Sequence, residues 1–239
     1  TAMTIPATNM KDRIPQGKYT VPALAQGVAL LGMFSRQRRS LTPPEIAQEL
    51  GLSRSTVFRL LQTLQQMGFV CRDGDERHFK LGPAILSHGF EYLASLDMVE
   101  AAQPILQRLR DETGLSSHMA LPDGGEVVYV ARYPARTTIS STVNIGTRFP
   151  IHATVMGRML LIDHDDQRLR ELFPGDSLPR FTEQTPANLA ELKAVLAGDR
   201  GRGYAVSQSF FERGVSSIAA PVRDGEGCIV AAINITAVD

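Results

Sequence analysis

The stretch TPPEIAQELGLSRSTVFRLL, residues 42–61, carries the strongest structural signal in the chain. Thr42, a proline directly after it and Glu45 three residues on predict a capped helix start, since they form a capping box with proline at the first helical position. Gly51 predicts the end of this short helix, because glycine tolerates the left-handed conformation of a helix terminus. Ser53 then predicts the cap of a longer second helix. Two helices joined by a tight glycine turn are typical of a helix-turn-helix.

The second helix of this pair has two different faces. Its apolar residues recur at the spacing of one helical stripe and predict a buried face: Val57, Leu60, Leu61 and Leu64. The opposite face holds no acidic residue, so no like charge repels phosphate there. Arg54 lies near the N-terminal end, which usually meets base edges, and arginine can bind guanine bidentately. Phe58 can pack on a thymine methyl group, and Arg59 is better placed for phosphate.

A predicted β-hairpin follows, with the turn Asp73–Glu76 between residues 69–72 and 77–81. A helix-turn-helix followed by a hairpin indicates a winged DNA-binding domain, and double-stranded DNA is the expected partner. A plain helical hairpin with a solvated basic face is the alternative. The expected DNA contacts are Arg36, Arg38, Arg39, Thr42, Ser53, Arg54, Ser55, Thr56, Phe58, Arg59 and Arg77.

Composition and charge agree with a two-part chain. Of the 239 residues, 43% are hydrophobic and 21% charged, which suits a folded soluble protein. Residues 1–82 hold 11 basic and 6 acidic side chains, a net charge of +5, and the remainder balances them at −5. The basic half fits a polyanionic partner. Two distant cysteines exclude a disulfide framework and favour a cytoplasmic protein, and no apolar run is long enough for a membrane helix.

The second half predicts a mixed α and β domain. The pattern indicates helices at 84–95, 98–112, 154–162, 167–173 and 189–196, and strands at 118–121, 127–131, 139–144, 218–222 and 229–235. Ser217, Asn234 and Thr236 stand on apolar strands, where a buried polar group needs a partner. Asn234 and Thr236 are two residues apart, so they face the same side of their strand.

Several motifs in order resemble the IclR-type bacterial transcription regulators. They are VPALAQG (21–27), LGLSRSTVFRLL (50–61), FKLGP (79–83), GTRFPIHAT (146–154), GRGYA (201–205) and GVSSIAAPV (214–222). A narrower similarity, in VARYPAR (130–136), GTRFP (146–150) and MGR (156–158), is to the branch controlling protocatechuate and p-hydroxybenzoate catabolism. Most of the wider family has Gly-Lys-Ala where this chain has Gly157-Arg158-Met159.

The resemblance implies an α+β architecture, a winged helix-turn-helix followed by a GAF-like antiparallel sheet domain with flanking helices. It covers about residue 21 to the C-terminus and implies a DNA-binding domain at 21–82, a linker helix at 83–96 and an effector-binding domain at 97–239. Residues 1–20 are polar without periodicity, which predicts a flexible arm. The resemblance also implies a dimer or tetramer, and two-fold symmetry predicts an inverted-repeat operator. Surplus apolar stripes at Leu24/Val28/Leu31 and Ile85/Leu86/Phe90/Leu93 favour the same association.

The expected effector is a small organic acid, more specifically an aromatic one through the narrower resemblance. The family's ligand-contacting positions map to Ser217, Asn234 and Thr236, and the start of a helix at 154–157 can bind an anion. Ser207 and Gln208 replace the acidic cluster that usually follows Gly-Tyr, which removes an acidic ligand. The predicted contacts are Thr154, Val155, Met156, Gly157, Ser207, Gln208, Ser217, Asn234 and Thr236, with apolar walls from Met119, Met156 and Phe149.

Two other functions compete with a ligand-responsive regulator. A small-molecule-processing enzyme fused to a DNA-binding domain would need a nucleophile with its base, paired carboxylates or a metal set, and the sequence offers no such motif. An architectural DNA binder would not need the large second domain. His118 and His152 are interpreted as core histidines, so no metal and no cofactor are expected. Whether the protein represses or activates stays open.

Overall fold

The computed structural model describes residue 15 and residues 17–136 and 143–238. The chain forms two compact units, one ending at Ser95 and the other beginning at Leu96. Most of the predicted arm at 1–20 and of the predicted strand at 139–144 lies outside the described residues. None of the described helices has both the length and the apolarity that crossing a bilayer requires.

The first unit is a winged helix-turn-helix. Its elements are α1 (Pro22–Leu31), α2 (Pro43–Leu50), α3 (Arg54–Gln66), β1 (Val70–Asp73), β2 (Asp75–Leu81) and α4 (Ala84–Ala94). The two strands pair antiparallel, and an isolated bridge joins Leu41 to Phe79, which attaches the wing to the segment before α2. The predicted helix pair and hairpin are therefore both present.

Local chemistry sets the ends of α2 and α3. Glu45 accepts hydrogen bonds from the backbone N–H of Thr42 at 2.7 Å and from its hydroxyl at 2.6 Å. Gly51 ends α2 at a φ of 65°, a conformation that a side chain would strain. Ser53 caps α3, where its hydroxyl accepts from the N–H of Thr56 at 3.1 Å. These caps fix the angle at which α3 leaves the turn.

Some apolar residues in and after α1 are buried in the core of this unit, and others are exposed. Leu30, Met33 and Phe34 are buried in a cluster that includes Ile46, Val57, Leu61 and Phe79. Leu24 and Val28, two of the surplus apolar residues, are exposed. Ala29 and Leu30, rather than Val28, turn towards α2 and α3.

The second unit is a six-stranded antiparallel sheet with helices. Its elements are α5 (Asp97–Thr113), β3 (Ser116–Asp123), β4 (Glu126–Tyr133), β5 (Arg148–Pro150), a 3₁₀ turn (Ile151–Ala153), α6 (Val155–Leu161), α7 (Asp166–Leu172), α8 (Leu189–Arg202), β6 (Ala205–Gln208), β7 (Val215–Arg223) and β8 (Ile229–Val238). The strand order is β5-β4-β3-β8-β7-β6. The α+β fold class is thereby confirmed.

Helices cover the two faces of this sheet differently. On one face, the hydroxyl of Ser117 on β3 donates to the carbonyl of Leu106 on α5 at 2.7 Å. On the other face, α6 packs across β7 and β8 with its residues fully or almost fully buried. Along each strand, every second side chain points towards α6. These side chains form the larger core and can line a cavity next to α6.

One helix of the second unit is longer than predicted, and two of its strands were not predicted. The sequence pattern ended the last helix at residue 196, but α8 continues to Arg202 and ends at Gly203, whose φ is 79°. Asp199 explains the extension, because its buried side chain binds an arginine of α6 and holds the last turns of α8 in place. The short edge strands β5 and β6 were not predicted, since neither contains an apolar run.

Candidate DNA interface and ligand cavity

The outer face of α3 is open to solvent. Arg54, Ser55 and Arg59 are exposed, and the Phe58 ring is 59% exposed although it is aromatic. Val57 and Leu61, on the other side of the same helix, are fully buried. The arrangement keeps two guanidinium groups and a phenyl ring on one surface, as the periodicity predicted.

Three of the predicted DNA contacts also hold the helix ends. The Ser53 hydroxyl lies 2.9 Å from the hydroxyls of both Ser55 and Thr56, and it accepts the Thr56 N–H. The Thr42 hydroxyl donates to Glu45 at 2.6 Å. Ser53, Thr56 and Thr42 therefore have structural tasks already, and their DNA contacts stay predictions.

The basic segment before α2 is partly engaged within the protein. Arg38 binds Glu49 bidentately, with nitrogen–oxygen distances of 2.8 and 2.6 Å, and this bond raises the pKa of its guanidinium. Arg39 donates from Nε to the carbonyl of Arg36 at 3.2 Å. Arg36, Arg39 and Arg77 are exposed. Glu49 therefore neutralises charge that Arg38 would otherwise offer to DNA.

A cavity of about 200 Å³ lies in the second unit between the sheet and the start of α6. Six of the nine predicted effector contacts line it: Thr154, Val155, Ser207, Ser217, Asn234 and Thr236. They come from four separate elements, α6, β6, β7 and β8, and the sheet brings them together.

The other three predicted contacts do not line the cavity. Met156 is fully buried in the core, as is Met119, which was predicted as an apolar wall. Gly157 packs against the 3₁₀ turn so closely that an added Cβ would lie 1.8 Å from the Ile151 carbonyl oxygen. Gln208 is exposed on the edge strand β6. Gly157 is thus a packing residue, which the motif could not distinguish from a ligand contact.

A chain of hydrogen bonds joins the polar residues of the cavity wall, and we call it the polar relay. His118 Nδ1 lies 2.9 Å from Asn234 Oδ1 across the β3–β8 pair. Asn234 Nδ2 donates to Thr236 Oγ1 at 3.1 Å, and the Thr236 and Ser217 hydroxyls are 3.0 Å apart. Each side chain provides one hydrogen-bond partner for the next, so the orientations of the four side chains are coupled.

The sequence argument missed His118 as a cavity residue. The side chain is 1% exposed and lines the cavity, although it was interpreted as a satisfied core histidine. Burial lowers the pKa of His118 to about 4; the bond to Asn234 opposes the shift and the nearby Arg132 charge adds to it. A signal was present, because polar residues on two apolar strands become neighbours once β3 pairs with β8.

Aromatic rings form the apolar side of the cavity. Phe149 lies at its wall as predicted, with ring centroids 5.7 Å from Tyr129 and 4.8 Å from Phe211. Tyr129 is buried, which raises the pKa of its hydroxyl. His118 meets the Tyr129 ring edge to face at 5.6 Å. The rings therefore continue directly into the polar relay.

One acidic side chain lies at the cavity, at a position that the sequence argument did not consider. Glu212 lines the cavity, from an exposed place in the turn between β6 and β7. This turn contains Ser209 at a φ of 53° and Gly214 at a φ of 75°. It reverses the chain, which brings a carboxylate back to the cavity edge four residues after Gln208.

A buried ion pair supports α6 from behind. Arg158 and Asp199 are 3% and 0% exposed at their side chains and bind bidentately at 2.6 Å. Arg158 also donates to the carbonyl of Val206 at 3.2 Å and stacks over Phe210 at 4.7 Å. A planar guanidinium can make all these contacts together, which explains arginine at this position.

The two units together define a class of protein. A winged helix-turn-helix with an acid-free outer helix face and a second unit with a small lined cavity define a ligand-binding transcription regulator. In the described part of the chain, no three His, Cys, Asp or Glu side chains converge as a metal site would require. His152 Nε2 instead bonds the carbonyl of Pro179 at 2.8 Å.

Comparison with known proteins identifies the family. Residues 23–74 match the IclR helix-turn-helix domain, and residues 90–239 match the family described as bacterial transcriptional regulator IclR C-terminal. The chain belongs to the IclR family of bacterial transcriptional regulators, with an effector-binding C-terminal domain. The predicted family and function class are confirmed.

Individual relatives agree with this assignment. The Pca regulon regulatory protein of Pseudomonas putida is 34% identical over 90% of this chain and 73% of its own length. A crystal structure of a transcriptional regulator from Rhodococcus sp. RHA1 is 36% identical, with a TM-score of 0.79 over 92% of this chain and 87% of that chain. An IclR homolog from Microbacterium hydrocarbonoxydans, complexed with 4-hydroxybenzoate, shares the fold at 24% identity, with a TM-score of 0.79 over 90% and 89%.

Proposed function

We propose that this regulator binds a small aromatic carboxylic acid in the cavity and changes its affinity for an operator when it does so. The observation that carries the proposal is the cavity itself, with aromatic rings on one side and the polar relay on the other. The 4-hydroxybenzoate bound to a protein of the same fold, and the Pca regulon relative, support the ligand class.

The size and walls of the cavity favour one aromatic ring. Its volume of about 200 Å³ is below the about 300–1,000 Å³ of pockets for drug-sized ligands. Phe149 and Phe211 offer ring faces and edges, and aromatic pairs at 4.5–7 Å between centroids gain about 0.5–1.5 kcal/mol beyond their buried area. A short aliphatic acid would leave these contacts unmade.

The carboxylate would bind to neutral donors. Two hydroxyls, of Ser217 and Thr236, share one mutual hydrogen bond and so keep one hydrogen to donate. Thr154 and Val155 line the cavity where α6 begins, and the first backbone N–H groups of a helix lack partners within it. Glu212 at the cavity edge disfavours a second negative charge on the ligand.

The DNA side of the proposal assigns base contact to Arg54 and phosphate contact to Arg59, Arg36 and Arg39. We further infer a homodimer, or a tetramer, that binds an inverted-repeat operator in the bacterial cytoplasm. Support comes from exposed apolar side chains of the first unit, since Leu24, Val28, Leu86 and Phe90 are between 59% and 67% exposed. A second copy of the chain is the expected cover for them.

The test combines calorimetry with operator binding. Protocatechuate, 4-hydroxybenzoate and short aliphatic acids are titrated into the wild type, Ser217→Ala and, as a control outside the cavity, Gln208→Ala. Saturable binding of an aromatic acid that Ser217→Ala weakens and Gln208→Ala does not, together with a changed gel shift, is the expected result. If only aliphatic acids bind, or if Ser217→Ala has no effect, the ligand class or the site is wrong.

A further inference from the structure

The buried ring of His118 has one nitrogen bonded and one not. Nδ1 lies 2.9 Å from Asn234 Oδ1, whereas Nε2 is buried with no hydrogen-bond partner among the described residues. Buried polar atoms are rarely left unpaired, because they lose hydrogen bonds to water without a replacement. The ring also forms part of the cavity wall, so a bound ligand lies next to it and can supply the partner that Nε2 lacks.

The polar relay determines which nitrogen carries the hydrogen. Asn234 Nδ2 donates to Thr236 Oγ1 at 3.1 Å, so the amide oxygen is the atom that faces His118. An amide oxygen only accepts, and Nδ1 must therefore be the N–H donor. Burial keeps the ring neutral near pH 7, since the pKa of His118 is lowered to about 4. A neutral imidazole with its hydrogen on Nδ1 presents a lone pair at Nε2.

We propose that His118 Nε2 accepts a hydrogen bond from a hydroxyl or N–H group of the effector, so that the cavity selects organic acids that also carry such a donor. The inference rests on the proposed function, because it takes the cavity as the effector site. A carboxylate has no hydrogen to give and would place acceptor against acceptor at His118. The carboxylate is therefore expected to bind the Ser217 and Thr236 hydroxyls, and the donor group of the same molecule to bind His118.

The experiment is a set of ligand pairs that differ in one donor. Benzoate is compared with 3- and 4-hydroxybenzoate and with 4-methoxybenzoate, and propionate with lactate, by calorimetry on the intact wild-type protein. At least one hydroxylated acid should bind about tenfold more tightly than its partner, the effect of one satisfied buried hydrogen bond. The methoxy compound keeps the oxygen without the hydrogen and should bind no better than benzoate.

Variants of His118 and Ser217 test whether His118 causes the preference for hydroxylated acids. His118→Phe should abolish the difference in affinity between a hydroxylated acid and its plain partner, whatever it does to benzoate binding itself, because the ring is also part of the polar relay. His118→Gln, which retains an acceptor, should recover part of that difference. Ser217→Ala should weaken hydroxylated and plain acids alike, because it acts at the carboxylate. If His118→Phe fails to fold, the wild type still decides: ¹⁵N resonances should show Nδ1 protonated, and the Nε2 resonance should move on binding of the hydroxylated acid.

The outcomes separate this inference from the proposed function. Equal binding of benzoate and the hydroxybenzoates overturns the role of His118 and leaves the aromatic-acid cavity intact. A preference for lactate over propionate that His118→Phe abolishes, with no aromatic binding, supports the role of His118 and overturns the aromatic class. An Nε2 resonance that is already protonated, or no binding of any acid, overturns the inference.

Discussion

Polar side chains are arranged differently on the outer face of α3 and in the wall of the cavity. On α3, Arg54 and Arg59 are exposed, and the hydrogen bonds near them are local caps around Ser53. In the cavity, three members of the polar relay are buried, Ser217 is half-buried, and the relay joins three strands. A long polyanion can be bound by charges that stay in water, whereas a small ligand must be recognised by directional bonds.

The largest expected effect is the loss of folding stability when the buried ion pair behind the cavity is broken. Arg158→Ala leaves Asp199 buried, and breaking a buried pair costs about 3–5 kcal/mol of unfolding free energy. Arg202 still contacts Asp199 at 2.5 Å, so the lower end of that range is expected. Denaturant unfolding measures the loss. Arg202→Ala, half-exposed, is the matched control, and an equal loss in both variants would contradict a special role for Arg158.

On α3, removal of an arginine should change DNA binding and leave folding unchanged. Arg54→Ala should cost about 1–3 kcal/mol of binding free energy at one base pair of an operator selected from random DNA. Arg59→Ala should weaken all sequences alike and reduce the slope of affinity against salt by about one. Gel-shift titrations at several salt concentrations measure both, with Gln66→Ala at the far end of α3 as control. Unchanged affinity in both arginine variants would remove α3 as the recognition helix.

A smaller effect is expected from titration of His118. Its pKa is about 4 in the folded protein and about 6.5 when unfolded, so below pH 6.5 protons bind the unfolded chain more readily. The neutral ring's contribution is complete above pH 6.5 and is lost as pH falls towards 4. The loss is about 1 kcal/mol between pH 7 and 5.5. Urea unfolding of the wild type and His118→Gln tests this; parallel pH profiles would contradict the buried, neutral ring.

The smallest effect belongs to the exposed ion pair of the first unit. Arg38 and Glu49 are 40% and 38% exposed at their side chains, and exposed pairs contribute about 0.2–1 kcal/mol. A double-mutant cycle of Arg38→Ala and Glu49→Ala should give a coupling in that range, and high salt should decrease it. A coupling energy as large as that of Arg158 and Asp199 would show that solvent exposure does not determine the strength of these ion pairs.

The helix-turn-helix was predictable because its signals are local. Thr42, Gly51 and Ser53 act within a few residues of themselves, and Val57 and Leu61 need only helical spacing to reveal the buried face. For α1 the local pattern indicated only that the apolar residues exceed what the small core needs. That Ala29 and Leu30 are the buried ones depends on how α1 packs on α2 and α3.

The cavity was only partly predictable because it is built from distant residues. Ser217, Asn234 and Thr236 could be inferred from polarity on apolar strands together with the family resemblance. His118 needed the register that pairs β3 with β8, and Glu212 needed the path of the turn between β6 and β7. Gly157 matched a motif for a reason of packing, which appears only when the distance to the Ile151 carbonyl is known.

The polar relay has a consequence for how a ligand can be oriented. On the proposed tautomer, the relay offers a hydrogen-bond acceptor at His118 Nε2 and a donor hydrogen at the hydroxyls of Ser217 and Thr236. A hydroxy acid can match both groups in one of its two orientations, whereas in the other its carboxylate meets the acceptor at His118. A symmetrical dicarboxylate places an acceptor against His118 whichever way it enters. If His118 accepts as proposed, the cavity would distinguish the head of a molecule from its tail, even where the two halves have the same size and shape.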